Sequence, residues 1–268
     1  MEKKAKVISI VNQKGGIAKT TTALNFAEEL SRAGYKVLGL DFDPQGNFTF
    51  ASNIANGANI DDLECTIANC LQADMDGAKE IKLPIYTDSD YGFDVVPCNI
   101  EMAYVLQSMM LSISRENILY RVLEPIKAEY DYIIIDTAPS LGIDMINALR
   151  ASDEVIIASK PSAFSASGVK GLFKTLSNVK ERINPDLKIA GVLITLVNTR
   201  GGKRVKDVVE ELHQLWGNNM YVFNTYIPQS NKVDESQEDR IPLREKDKRN
   251  IVVNAYKKFT EEYLKLNL

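Results

Sequence analysis

Apolar residues along this chain follow two alternating spacings. The first is a series of short runs, apolar at most positions and rich in β-branched residues: KVISIV at 6–11, YKVLGLDFD at 35–43, FDVVPC at 93–98, YDYIIIDTA at 130–138, DEVIIASKP at 153–161, KIAGVLITLVN at 188–198 and MYVFNTYIP at 220–228. Their length and composition predict strands. Within them YIIID and EVIIA are apolar at consecutive positions, as expected of strands covered on both faces. The second spacing is helical. In TTALNFAEELSRAG at 21–34, Ala23, Phe26, Ala27 and Leu30 recur at i, i+3, i+4, and Gly34 marks the stop. Helical stretches are also predicted at 117–130, 164–183 and 204–216. A C-terminal helix over about 247–266 should place Ile251, Val252, Ala255, Tyr256 and Phe259 on one docking face. Strands alternating with helices predict an α/β fold: a doubly wound, mostly parallel sheet with helices on both faces. No repeat or linker divides residues 1–268, so one domain is expected. The most polar stretch, 229–247, is expected to cross the surface in extended form.

Composition narrows the class. Hydrophobic residues make up 45% and charged residues 25%, which is ordinary for a globular protein. Apolar runs such as 133–135 and 155–158 are far too short to span a bilayer, and the first residues carry no signal-peptide pattern. A cytoplasmic protein is expected. Cys65, Cys70 and Cys98 have no C-x-x-C spacing, which argues against a disulfide framework or zinc site. The single histidine, His213, falls within an amphipathic run and reads as a helix-face residue. Residues 1–184 hold 18 Lys+Arg against 24 Asp+Glu, a balance of −6. Residues 185–268 hold 14 against 12, a balance of +2. Any polyanion partner is therefore sought in the C-terminal third.

In a doubly wound sheet, ligands bind beyond the carboxyl ends of the strands. Three polar motifs fall at such ends: VNQKGGIAKTTT at 11–22, DFDPQGN at 41–47 and DTAPSLG at 136–142. The first has the outline of the phosphate loop G-x-x-x-x-G-K-[ST], except that Gln13 and Ala18 stand where glycines are usual. The helix opening near Lys19 offers backbone N–H groups and a partial positive charge to a phosphate. Lys19 would supply a point charge to the β- and γ-phosphates, Thr20 a hydroxyl to magnesium, and Asp136 a carboxylate behind the metal. At Ala18 the chain is expected to be entering the helix, where alanine is tolerated, with nucleotide affinity reduced at most.

NQKGGIAKTTTALN, DFDPQGN and YDYIIIDTAPSLG together resemble the deviant phosphate loop and the two acidic motifs of the ParA/Soj/MinD ATPases. VFNTYIPQSNK at 222–232 is similar to a segment of the Soj-like branch, and the resemblance runs from about residue 6 to about residue 260. In that family the first glycine does not lie at the position of Gln13, so this departure disappears. The resemblance implies an ATPase with ATP and Mg²⁺ as cofactors, held by Lys14, Gly15, Gly16, Ile17, Ala18, Lys19, Thr20 and Thr21, with Asn198 and Pro228 near the adenine. LVNTRGGK at 196–203 lacks the N-K-x-D pattern of guanine sites. Thr20 and Asp136 would serve the metal. Lys14, Lys19 and Asp43 would be catalytic: Lys14 reaches into the partner of an ATP-dependent homodimer, and Asp43 orients the attacking water. Asp41 competes for that role; its bland alternative is a carboxylate that caps nearby amides. DPQGN follows Asp43 and favours it.

Family membership further implies nonspecific binding of double-stranded DNA in the ATP state, a ParB-type centromere-binding or cargo-adaptor partner, a nucleoid-associated location, and a role in plasmid or chromosome partitioning. Candidate DNA-contacting cations are Arg200, Lys203, Arg204, Lys206, Lys232, Arg244, Lys246, Lys248 and Arg249. Gln229 and Asn231 depart from the Soj-like pattern, and Glu235, Glu238 and Asp239 add negative charge beside them. No helix-turn-helix precedes the first strand, so operator binding is not expected. The alternative is a MinD-like ATPase positioning a membrane or other cellular cargo. The tail KKFTEEYLKLNL lacks the basic face of a membrane anchor, and the cysteines do not suit an iron–sulfur carrier.

Overall fold

The computed structural model describes residues 4–54, 57–87, 89–161, 166–199 and 220–266, with Asp207, Glu210 and Gln214; for 166–170 only the backbone is described. Six strands form one parallel sheet: β1 (Lys6–Val11), β2 (Val37–Phe42), β3 (Asp94–Val96), β4 (Tyr132–Thr137), β5 (Glu154–Ser159) and β6 (Lys188–Ile194). Their order across the sheet is β3-β2-β4-β1-β5-β6. The chain first winds away from β1 in one direction and later in the other, so the carboxyl end of β1 lies at the reversal, where such sheets open a crevice. Strands β2 and β5 are buried at every position, which explains their unbroken apolar pattern.

Helices α1 (Lys19–Arg32), α2 (Asn47–Ala51), α3 (Ile67–Met75), α4 (Glu101–Met109), α5 (Ile118–Leu123), α6 (Ile143–Ala151) and α7 (Ala166–Arg182) follow in chain order. After them come α8 (Asn231–Glu238), α9 (Leu243–Lys246) and α10 (Ile251–Leu266). One apolar layer joins α1 and α10 to a sheet face; another joins α3–α6 to the opposite face. Phe26 of α1 meets Phe259 and Tyr263 of α10 with ring centroids 5.1 Å apart in each pair, a spacing at which aromatic pairs stabilise beyond their buried area. The docking face consists of Val252, Val253, Ala255, Tyr256, Phe259 and Tyr263; Ile251, expected there, is 52% exposed.

Three other expectations are corrected. Residues 229–247 are not extended. Ser230 caps α8 by accepting from the Lys232 amide, and Leu243 buries the start of α9. The stretch NKVDESQE has a single apolar residue, so its helix rests on capping and tertiary contact and leaves no periodic signal. The helix expected at 117–130 ends at Leu123, because Pro125 opens a 3-10 turn at Glu124–Ile126. The helix expected at 164–183 is described as α7 from Ala166 to Arg182. The run 220–228 is not a strand but two isolated parallel bridges, Val192↔Val222 and Val197↔Pro228. Between them the Glu262 carboxylate accepts from the backbone N–H of Asn224 (2.6 Å) and Thr225 (2.9 Å), drawing those amides away from the sheet edge. Of the helix expected at 204–216, only Asp207, Glu210 and Gln214 are described, all three helical; the rest, with His213, lies outside the described residues.

Candidate nucleotide site

The loop after β1 is shaped from below by Asn12. Its side-chain amide donates to the Ala158 carbonyl at the end of β5 (2.8 Å), and its Oδ1 accepts from the Lys14 N–H (3.1 Å). Thr195, just past β6, donates to the Ile17 carbonyl (2.8 Å). Three strand ends thus fix the loop. Lys19 is buried, and its Nζ donates to the Lys14 carbonyl at 3.2 Å. Gly16 and Ala18 both have positive φ, +63° and +64°.

The Ala18 geometry corrects the expectation that the chain is already helical there. Ala18 is the left-handed N-cap of α1, and its carbonyl accepts from the Thr22 N–H (3.0 Å) and Oγ1 (2.6 Å). A left-handed alanine costs about 1–2 kcal/mol, partly offset by the lower entropy of its unfolded chain relative to glycine. Ala18→Gly is therefore expected to raise stability by about 0.5–1 kcal/mol in denaturant unfolding without weakening nucleotide binding. A less stable glycine variant would contradict this account of the loop.

Above the loop opens a cleft of about 570 Å³. Residues 15–21, Asp43, Pro139 and Pro228 line it, together with the outer wall formed by Val233, Asp234, Gln237 and Glu238 of α8. Nothing in the hydrophobic pattern places α8 there. Gln237 donates to Thr21 Oγ1 (3.1 Å), and the Arg240 guanidinium lies 4.0 Å from the Phe50 ring centroid while donating to the Ala58 carbonyl (3.0 Å). The readable signal was Ser230 ahead of Asp234, a cap followed by an acidic first turn. Leu196 lines the cleft; Asn198 lies exposed outside its lining.

The carboxylates separate by their partners. Asp41 is fully buried, and its Oδ2 accepts from the Thr49 N–H (2.9 Å) and Oγ1 (2.7 Å) while Oδ1 accepts from the Asp43 N–H (3.2 Å). Burial pushes its pKa up to about 7 against those hydrogen bonds. Asp43 stands at the cleft, accepting from the Gln45 N–H (2.9 Å); burial raises its pKa, opposed by that N–H and by Lys19. Asp136, paired in register with Asp41 across β2 and β4, is fully buried with neither oxygen in a hydrogen bond. Burial raises its pKa well above the carboxylate range, Asp41 adds to this, and Thr20 and Lys19 oppose it. Burial lowers the Lys19 pKa against the pull of Asp136 and Asp43. Asp136, left without a hydrogen bond, is electrostatically suited to a cation beside Lys19.

The proposed DNA cations are placed less evenly. Lys232 is paired with Glu235 (2.6 Å), Lys246 with Asp239, and Arg244 with Glu29. Lys248 and Arg249 are exposed in the turn before α10, without an ion pair among the described residues. Arg200, Lys203, Arg204 and Lys206 lie outside the described residues.

A parallel sheet in this order, with a glycine-bearing loop feeding α1 and an acidic residue closing β4, defines a P-loop ATPase fold of the ParA/MinD type. Residues 5–189 match the family described as AAA domain, and the chain belongs to that family, in its Soj/ParA branch. It is 37% identical over 238 residues to the sporulation initiation inhibitor protein Soj of Bacillus subtilis, covering 89% of this chain and 90% of Soj. It is 34% identical over 261 residues to the chromosome partitioning protein ParA of Myxococcus xanthus, covering 97% and 86%. Among solved structures, cobyrinic acid a,c-diamide synthase of Mycobacterium smegmatis with bound ATP analog and magnesium superposes with a TM-score of 0.78. It is 29% identical, over 96% of this chain and 93% of that one.

Proposed function

We propose that the protein is an ATP-Mg-dependent, dimerising ATPase that binds double-stranded DNA nonspecifically in its ATP state and partitions a plasmid, chromosome region or other cargo with a ParB-type partner. The observation that carries the nucleotide reading is Asp136: a fully buried carboxylate with no hydrogen-bond partner, close to Lys19 and Thr20, which line the strand-end cleft. Thr20 and Asp136 would hold magnesium, which when bound supplies charge to the phosphates. The amides of residues 15–20 cradle the phosphates at the N-terminus of α1, and Lys19 fixes the terminal ones. Asp43 orients a water for in-line attack. Lys14 of the partner subunit delivers a cation to the charge that develops in transfer, so each site needs two copies. Hydrolysis then dissolves the dimer and releases DNA from a nucleoid-associated cytoplasmic pool.

One observation favours DNA over a membrane as the bound surface. The apolar side of α10 is buried against α1 and the sheet, so it is not free to enter a lipid interface. No helix among the described residues is long and apolar enough to cross a membrane. The exposed Lys248 and Arg249 instead suit phosphate contact.

DNA binding measured with ADP, ATP and a non-hydrolysable analogue tests this reading. Binding is expected with ATP or the analogue only. For about four phosphate contacts it should weaken roughly a hundredfold between about 50 and about 200 mM salt. Lys248→Glu with Arg249→Glu should remove it without affecting nucleotide affinity. Binding that ignores salt, or persists with ADP, would contradict the proposal.

A further inference from the structure

Helix α4 and the turn after it carry an apolar surface that the nucleotide site does not use. Ile100 is 52% exposed, Tyr104 70%, Met110 51%, Leu111 90% and Ile113 93%. Ile100 and Tyr104 are spaced i, i+4 at the start of α4, and Met110, Leu111 and Ile113 lie in the turn that follows it. With large side chains offering about 150–250 Å² each, these five expose roughly 700 Å². The largest apolar patch on a monomer is usually about 300–600 Å², whereas one partner's share of a stable interface is about 800 Å². The patch is larger than a monomer ordinarily leaves in water and near the size of half an interface.

Its position and charge indicate what covers it. Ile100 follows Cys98 and Asn99, and these pack against the loop that carries Asp43: a Cβ at Gly46 would lie 3.0 Å from the Cys98 carbonyl oxygen and 3.7 Å from the Asn99 Cα. Leu141, 37% exposed, stands after β4, two residues beyond Pro139, which lines the cleft with Gly15. The patch therefore begins on the strand-end face that holds the phosphate loop. From 100 to 114 the chain reads IEMAYVLQSMMLSIS, with Glu101 its only charge. A surface for nucleic acid or for an anionic bilayer would carry lysine or arginine here. An uncharged apolar surface suits an identical one, and two-fold symmetry supplies it on a second copy.

We infer that the surface formed by Ile100 and Tyr104 at α4 and by Leu111 and Ile113 in the turn after it is a docking surface for a second copy of this chain, extending the contact between strand-end faces. This rests on the proposal that ATP brings two copies together. Its consequence is that dimer affinity depends on residues that do not line the nucleotide cleft.

Sedimentation velocity with a non-hydrolysable ATP analogue and magnesium tests it, on wild type, on Leu111→Asn with Ile113→Asn, and on Tyr104→Ala. Because these side chains are exposed, the variants should fold, and their monomers should bind a fluorescent nucleotide within about twofold of wild type. Their dimer dissociation constant is expected to rise roughly thirtyfold or more. Wild type that dimerises, with both variants dimerising within about threefold of it, overturns this inference and leaves the nucleotide-dimer proposal standing. Wild type that remains monomeric removes both. Neutral phosphatidylcholine vesicles provide the remaining arm: wild type sedimenting with them, and the variants not doing so while dimerising normally, would assign the patch to lipid and overturn the inference.

Discussion

An Asp43→Ala protein is expected to lose about 10²–10⁴-fold of its ATP turnover, the span typical of a positioned acid–base group. It should retain nucleotide and accumulate as a DNA-bound dimer. The assignment rests on how the two aspartates of DFDPQGN are spent. Asp41 accepts two hydrogen bonds from Thr49 and one from the Asp43 amide, and it is fully buried. A carboxylate so engaged holds the turn after β2. Asp43 lines the cleft and has one local bond, from the Gln45 amide. Asp41→Ala should therefore act on folding, costing about 1–3 kcal/mol by stranding the Thr49 hydroxyl and amide. Rapid turnover by Asp43→Ala, with turnover lost in a well-folded Asp41→Ala, would transfer the role to Asp41.

The second large effect concerns Lys14. If its cation acts across the dimer, Lys14→Ala should leave monomer nucleotide affinity nearly intact while reducing turnover about 10³-fold or more, the scale of a cation delivered in trans. In the folded monomer the Lys14 backbone is tied into the loop: the carbonyl receives Lys19 Nζ and the amide meets Asn12. Both contacts survive the substitution, so its cost should fall on transfer and dimerisation.

The parts legible in the sequence share a physical cause. Strands β1, β2, β4 and β5 are buried on both faces, so burial wrote itself into consecutive apolar letters. Helix α1 packs one side on the sheet and shows the spacing of a half-buried helix. The phosphate loop was legible because approach to phosphate restricts residue type. What escaped lacks such a local trace. Helix α8 walls the cleft with polar side chains, and only Val233 among them is apolar. The Ala18 conformation was hidden because alanine is a good helix former; the chain places it left-handed to direct its carbonyl at Thr22. The interrupted edge at 222–228 depends on Glu262, some forty residues later. Helix α4 and the turn after it point apolar residues outward as well as inward, so composition alone could not show that Tyr104, Leu111 and Ile113 are exposed.

The central claim is that each site is completed by a second copy, and subunit mixing tests it most directly. Lys14→Ala and Asp43→Ala proteins are each expected to be nearly inactive alone. In a mixed dimer, one site combines the Asp43 of the first protein with the Lys14 of the second and is whole; the other site lacks both. An equimolar mixture should then recover about a quarter of wild-type turnover, since half the dimers are mixed and each has one of two sites. Turnover that stays at the level of the separate variants, under conditions where mixed dimers form, would place Lys14 in its own subunit's site and contradict the account.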